Sequence, residues 1–423
     1  MGQTPREIQP AGSPLLYFGA EVRRLRLQRG WSAGELGSAV LTSMDLVRRI
    51  ELGERYPTQQ FVDRCDEVFD RGGFLRRMWP LLERERRLRL VRETANDGAA
   101  YNSRLADRPV LDWLLETQPE SRSRPTPSAP DVADFGKQLQ HIRQLDHQHG
   151  AGAAYPQVVG FMDRHLAQLV SCSPRTAIGS LELAGYSAVD VGADGAAQLH
   201  YVNALEVATR SGDHLYAGYL TGVSLAHLAL HCGDPRQAQR LAQAAMRGTE
   251  RNATPALRSA FHAVLARTYA RQGDRAETID HLQLAEREAT RSRPLDEPEI
   301  ISYFGSADLA DERAHCFFDL GLEADAQREA RDAIGQVSPS RVRRLAIDYS
   351  LLAASLARSG AVEEACAMGR AAVDHAAATR SFRSTHRIML MLAELHAFAD
   401  HGPVRDLVDY VQASLPAVPI ILR

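Results

Sequence analysis

The sequence predicts an all-α protein, with a small N-terminal helical bundle followed by an α-solenoid. Three observations predict it. Ala is abundant, aromatic residues are only 6% of the chain and β-branched runs are scarce, which favours helix over strand. Apolar residues recur at helical spacing through most of the chain, punctuated by short Gly-containing turns. Five glycines, Gly192, Gly233, Gly273, Gly321 and Gly360, each separate two helical patterns, at spacings of 41, 40, 48 and 39 residues. Such a period marks a repeated helix pair.

With 423 residues, 44% of them hydrophobic and 24% charged, the chain has an ordinary globular composition. Its length suits roughly two to four domains, or one domain joined to an array. The net charge is −3, but residues 1–95 hold 17 Arg against 13 Asp and Glu, and the remainder carries a net −7. A basic head on an acidic body hints at a nucleic-acid-binding module. No run approaches the about 18 apolar residues of a membrane span, and the first residues lack the pattern of a signal peptide. Arg6 stands where a myristoylation motif needs Ser or Thr. Cys65, Cys172, Cys232, Cys316 and Cys366 are far apart and odd in number, as expected of reduced, packed cysteines in a cytoplasmic protein.

The head, 18–70, reads as helices at about 18–29, 33–40, 43–51 and 58–69. Ser32 and Glu35 have capping-box spacing, and Ser43 is placed to cap the third helix. About three residues separate the second and third helices, the length of a helix-turn-helix. In these residues the sequence resembles the Xre/Cro-type repressor helix-turn-helix family: Leu25, Arg26 and Arg29, then Trp31-Ser32, Glu35-Leu36 and Val40, then Ser43, Val47, Ile50, Glu51, Gly53 and Pro57. Gly37 is the small residue where two helices cross. Two positions depart from the family pattern. Ala33 replaces a frequent Gln, removing a phosphate contact, and Leu41 stands where the turn often has Gly, at a strain of roughly 1–2 kcal/mol if left-handed.

The resemblance implies that the third helix enters the major groove of a double-stranded DNA operator. Ser43, Met44, Asp45, Arg48 and Arg49 would then face the bases, with Arg bidentate to guanine and Met44 against a thymine methyl. Arg55, after the helix, would contact phosphate. The plain alternative is that these residues are solvated and the head docks onto protein.

The resemblance and the composition together divide the chain into an Xre-type helix-turn-helix domain at 15–80, a helical connector and linker at 81–131, and a repeat domain at 132–423. Within the middle part, LLERERRLRLVRET reads as a solvated helix, and 117–131 (TQPESRSRPTPSAPD) holds four prolines and three serines without apolar period, as a linker does.

The repeats carry three columns of small residues. Seven before each glycine stand Gly185, Ala226, Ala266, Ala314 and Ala353. Five after stand Ala197, Ala238, Thr278, Ala326 and Ala365, and twelve after stand Ala204, Ala245, Ala285, Ala333 and Ala372. Antiparallel helices joined by a tight turn approach closely only where small residues meet. Leu225, Leu265, Tyr269, Phe317, Leu352 and Leu356 then fill the core between repeats. The spacing resembles the tetratricopeptide repeat (TPR), in units longer than its usual length of about 34, and covers about 175–380. The fold class is therefore all-α, a helix-turn-helix bundle followed by a TPR-like solenoid. Capping helix pairs are expected at 132–172 and 382–415, and a break at 291–300.

If the resemblance holds, a concave groove is lined by residues ten, six, three and two before each glycine. These include Glu182, Tyr186 and Asp190, then His227 and His231, then Arg267 and Arg271. Asp311, His315 and Asp319 follow, then Ser350 and Arg358. Such a groove suits a short peptide or a polar small molecule, and Arg267 with Arg271, one turn apart, has the spacing of a carboxylate clamp. The competing reading is an ordinary scaffold surface. His227/His231 and Asp311/His315 have metal-ligand spacing, but no Glu follows His227 and the pairs lie in different repeats. No metal or cofactor is expected. No phosphate loop, G-x-S-x-G elbow or Cys/His nucleophile pattern is present, so no enzyme is expected either.

The order of head, linker and array resembles ligand-sensing regulators of Gram-positive bacteria, including the peptide-responsive quorum-sensing group. It is closer to the helix-turn-helix/repeat regulators common in actinobacteria. RPVLDWL (108–114), LDHQHGAG (145–152) and an Arg-rich chain with a single lysine, Lys137, add to that likeness. The resemblance implies a cytoplasmic DNA-binding regulator that dimerises through its repeats and responds to a peptide or small-molecule effector. Two alternatives stay open: a scaffold or adaptor whose head mediates protein contacts, and a repeat protein that inhibits a phosphatase or kinase through its groove.

Overall fold

The computed structural model describes residues 14–79, 82, 100–115, 129–379 and 381–415. Among them there is no β-strand, and no helix is long and apolar enough to cross a membrane. The chain divides into two compact units, Met1–Thr94 and Ala95–Arg423. The charged stretch after residue 80, apart from Leu82, and the Pro/Ser-rich 116–128 lie outside the described residues.

The head unit consists of α1 (Pro14–Gln28), α2 (Ala33–Ala39), α3 (Met44–Glu51) and α4 (Gln59–Val68), followed by a helical segment at 74–79. The first helix starts four residues earlier than its apolar period suggests, because Leu15 is already in the core. Phe18, Val22, Leu36, Val47, Ile50 and Val62 are buried around it. Ser32 and Glu35 form the capping box at α2: Glu35 N–H donates to Ser32 Oγ at 3.2 Å and Ser32 N–H to Glu35 Oε2 at 2.6 Å. Gly19 lets α1 lie against the end of α3, where a Cβ would collide with the Ile50 carbonyl.

The second unit is a stack of antiparallel helix pairs. They are α6 (Ala129–His149) with α7 (Ala151–Cys172), α8 (Pro174–Asp190) with α9 (Asp194–Ser211), and α10–α11 with α12 (Pro235–Gly248). The rod formed by α10 (His214–Tyr219) and α11 (Ala226–His231) runs through a π-helical stretch, Leu220–Leu225. Then come α13 (Pro255–Arg271) with α14 (Arg275–Arg291), α15 (Ser306–Asp319) with α16 (Glu323–Gln336), α17 (Val342–Arg358) with α18 (Val362–Ala377), and α19 (Phe382–Leu395) with α20 (Gly402–Ser414). All five register glycines sit in the turns between paired helices with φ of +69° to +82°, backbone that L side chains resist. All fifteen column residues are buried. At Gly185 the approach leaves no room for a side chain, since a Cβ there would lie 2.5 Å from the Tyr201 ring.

Two boundaries differ from the sequence reading. Helix α6 begins at Ala129, inside the stretch read as linker. A short helix, α5 (Asp107–Leu115), occupies part of the connector and packs on α9 and α12. It holds because Trp113 is buried against Gly248, where a Cβ would collide with the indole. The break near 291–300 is a loop returning through buried Ile301 to α15. The five cysteines are free thiols, with Cys65, Cys316 and Cys366 buried.

Candidate nucleic-acid interface and ligand cavity

Helix α3 is fixed from behind. Val47 and Ile50 are fully buried, Ser43 Oγ caps the helix by accepting from Leu46 N–H at 3.2 Å, and the turn before it closes over Gly37, where a Cβ would meet Thr42 O at 2.9 Å. Glu51, at the helix end, is held by Arg26 of α1: Nε donates to Oε1 at 2.6 Å and Nη2 to Oε2 at 2.8 Å. Arg26 Nη1 also reaches the Trp31 carbonyl at 2.7 Å. The outward face is therefore set by the core. On it Ser43, Met44, Asp45, Arg48 and Arg49 are exposed, as is Arg55 in the following loop. Arg49 pairs with Asp45 at 3.0 Å across one turn, while Arg48 and Arg55 keep their guanidinium groups in solvent. Leu41 adopts φ +56°, so the strained turn conformation is real, and its side chain is 74% exposed.

The second unit encloses a cavity of about 350 Å³, within the range of small-ligand sites. Of the twelve polar groove residues expected from the repeat register, eight line it: Glu182, Tyr186, His227, His231, Arg267, Arg271, Asp311 and His315. Asp190, Asp319 and Ser350 do not, nor does Arg358. Its guanidinium lies 3.7 Å from the centre of the Phe318 ring and bonds Glu394 at 2.7 Å, because the end of α17 has already passed the cavity.

The two arginines read as a clamp are occupied. Arg267 Nη1 donates to Glu312 Oε2 at 2.8 Å, and Arg271 Nε pairs with Asp319 at 3.1 Å. His227 is also committed, with Nε2 3.0 Å from Glu312 Oε1 and Nδ1 3.0 Å from the Val223 carbonyl, the latter within the π-helical stretch. Burial alone would raise the Glu312 carboxyl, yet Arg267 and His227 hold it well below the usual carboxylate range. His231 faces Asp194 at 3.3 Å and His315 faces Asp311 at 3.4 Å. Burial, with Arg267 and Arg387 nearby, keeps His315 far below the normal histidine range. Each histidine therefore faces a single carboxylate, and no cluster of three or more metal-ligating side chains occurs among the described residues.

The register missed the residues that close the cavity. At one side Arg343 of α17 donates to Asp146 of α6 at 2.7 and 2.9 Å, to Asp190 of α8 at 2.9 Å and to Tyr186 OH at 3.0 Å. Asp190 also takes Ser381 Oγ at 2.5 Å and Arg383 Nε at 3.1 Å. Burial opposes its ionisation, but the two arginines hold it below its ordinary value. This knot ties an early helix pair of the array to its last ones. Arg344 binds Asp308 at 2.9 Å and Asp348 at 2.8 Å. The loop before α15 adds Tyr303, whose hydroxyl lies 3.3 Å from that of Tyr219. Two features in the sequence could have pointed here: the Arg343-Arg344 pair, about two turns before the register positions, and the basic RxxxR of α19 (Arg383, Arg387) in a helix read only as a cap.

A helix-turn-helix domain family matches residues 18–79. No curated protein matches the chain. Among solved structures, the crystal structure of Bacillus thuringiensis PlcR in complex with the peptide PapR7 and DNA is similar at 11% identity, over 94% of this chain and 98% of that one, with a TM-score of 0.32. A score that low does not establish a common overall fold.

Proposed function

We propose that this chain, which carries a helix-turn-helix domain at its N-terminus, is a sequence-specific DNA-binding transcription regulator whose repeat unit senses a peptide or small-molecule ligand. The exposed face of α3 carries the reading. A helix anchored by Val47, Ile50 and the Arg26–Glu51 pair holds Met44, Asp45, Arg48 and Arg49 outward, a set of side chains suited to guanine and thymine edges in the major groove. One such head buries little DNA, so a homodimer reading two half-sites about one helical turn apart follows. The cavity, lined by charged side chains beside tyrosines, supports the sensing role. A ligand would shift operator binding only by its differential affinity for two states of the array, about 1–3 kcal/mol or roughly 5–150-fold.

Genome-wide capture of DNA by the full chain tests the reading, with sedimentation of the same preparation reporting its assembly. A recurrent two-fold symmetric motif and a dimer are expected. Capture without an enriched motif would overturn the regulator reading, and a monomer on an asymmetric motif would overturn the homodimer.

A further inference from the structure

Around the cavity most arginines have acidic partners, some of them more than one: Arg344 meets Asp308, Asp311 and Asp348, Arg343 meets Asp146 and Asp190, and Arg341 lies 3.4 Å from Asp308. Arg267, Arg271, Arg343, Arg344 and Arg383 each have an acidic partner within 3.1 Å. Arg387, on α19, lines the same cavity, and among the described residues it has neither a hydrogen bond nor an ion pair. The nearby acids point elsewhere: Asp319 pairs with Arg271 at 3.1 Å and Asp311 lies 3.4 Å from Arg344, although each keeps one buried oxygen without a hydrogen bond. Burial, with Arg267 and Arg271 beside it, pulls the Arg387 guanidinium down to about 10, so it remains cationic at neutral pH. Arg267 Nε, close by, is a second buried donor with no partner. Arg387 is half-buried, and a partly desolvated cation without a direct counter-ion is less favourable than a paired one, so an anion entering the cavity would stabilise it.

The cavity is unlike itself at its other end. There Tyr201, Tyr219 and Tyr303 gather around Glu182, whose carboxyl burial pushes upward toward its neutral form, while the Tyr186 ring is covered by Arg343 and Arg383. That end offers ring faces and neutral hydrogen-bonding groups. A single guanidinium without an ion-pair partner matches one carboxylate, whereas a phosphate dianion would bring a second negative charge close to Asp311 and Asp319, which already act on Arg387.

We propose that the cavity receives a monocarboxylate with an apolar or aromatic body, its carboxylate anchored on the Arg387 guanidinium and its body against the tyrosine end. This rests on the ligand-sensing part of the proposed function and names the chemical class of the ligand. The same chemistry is offered by a free organic acid and by the C-terminus of a short apolar peptide.

The test uses the full chain without DNA, at constant ionic strength, in two arms. One titrates phenylpropionate against phenylpropionamide, and the other an N-acetylated Phe-Leu dipeptide against its C-terminal amide, with binding read by calorimetry and by the shift in Tm. In at least one arm the acid is expected to bind about tenfold or more tighter than its amide. Arg387→Gln should erase that preference, and Arg387→Lys, which keeps the charge, should retain most of it. Helical circular dichroism of both variants guards against misfolding. Acid and amide bound alike, an unaltered preference in Arg387→Gln, or no binding of either acid at about 10 mM would each overturn the proposal. Because DNA is absent, such a failure leaves the regulator reading standing, and failure of DNA capture leaves this result standing.

Discussion

Arg26 and Glu51 meet in a buried bidentate ion pair that joins the first helix of the head to the end of the third. Two parallel N–H···O bonds fix both distance and orientation. The pair therefore sets the pitch of the helix whose other face carries Met44, Arg48 and Arg49. Hydrogen bonding to Glu51 raises the Arg26 guanidinium above its ordinary value.

Removing one partner strands the other charge in the core. Glu51→Ala is expected to destabilise the head by about 3 kcal/mol or more, measured by urea denaturation followed through the Trp31 fluorescence. A loss below about 1 kcal/mol would mean the pair is solvated and does not orient α3.

Leu41 holds a left-handed conformation with its side chain in solvent, so replacing it forfeits little packing. Leu41→Gly relieves roughly 1–2 kcal/mol of strain and returns part of that through the entropy of the unfolded chain. A net gain of about 0.5–1 kcal/mol is expected, read as a higher denaturation midpoint. A lower midpoint would show that the exposed leucine contributes packing.

Trp113 of α5 is seated on Gly248 of α12. Gly248→Ala is expected to displace the indole and cost about 1–3 kcal/mol, with Trp113 emission moving to the red as the ring meets water. Unchanged emission and stability would show that α5 is not fastened to the repeats by this contact.

Acid should loosen the repeat unit as its buried histidines are forced to take up protons. Burial lowers His200 and His262 each to about 4 and His315 further, while the unfolded chain takes up protons near pH 6.5. Folded-state values below the unfolded one mean stability is complete above about pH 6.5 and is lost as pH falls toward 4, by up to about 1.4 kcal/mol per pH unit for each histidine. Replacing His200, whose ring contacts Tyr155 OH at 3.4 Å, with Phe should reduce the slope of Tm against pH. A flat profile across this window would contradict the burial of these rings.

Much of this was legible in the sequence, for identifiable reasons. Gly192, Gly233, Gly273, Gly321 and Gly360 could be read as turns because a positive φ demands glycine, and Gly185 or Ala353 as crossings because close helix approach excludes larger side chains. Ser32 and Glu35 announced the start of α2 through local hydrogen bonds alone. The cavity was legible only as far as the register reached. Eight of the twelve polar groove residues fell on it, but Asp190, Asp319, Ser350 and Arg358, also at register positions, did not, and Arg358 lies over Phe318. Arg343, Arg383 and Arg387 gain their meaning from partners 150 or more residues away, or from having none, as Arg343 with Asp190 shows. No local period encodes that. Tyr303 stands in an irregular loop with no period to read.

The most direct test of the central claim is binding of a captured DNA site and a scrambled control across a salt series, for wild type, Arg48→Ala/Arg49→Ala and Arg55→Ala. Wild type should prefer the captured site. The α3 double variant should lose about 1–3 kcal/mol of that preference for each base contact removed. Arg55→Ala should weaken both DNAs alike and flatten the salt slope by about one unit. Equal binding of site and control by wild type, or an undiminished preference in the double variant, would contradict the claim that α3 reads DNA sequence.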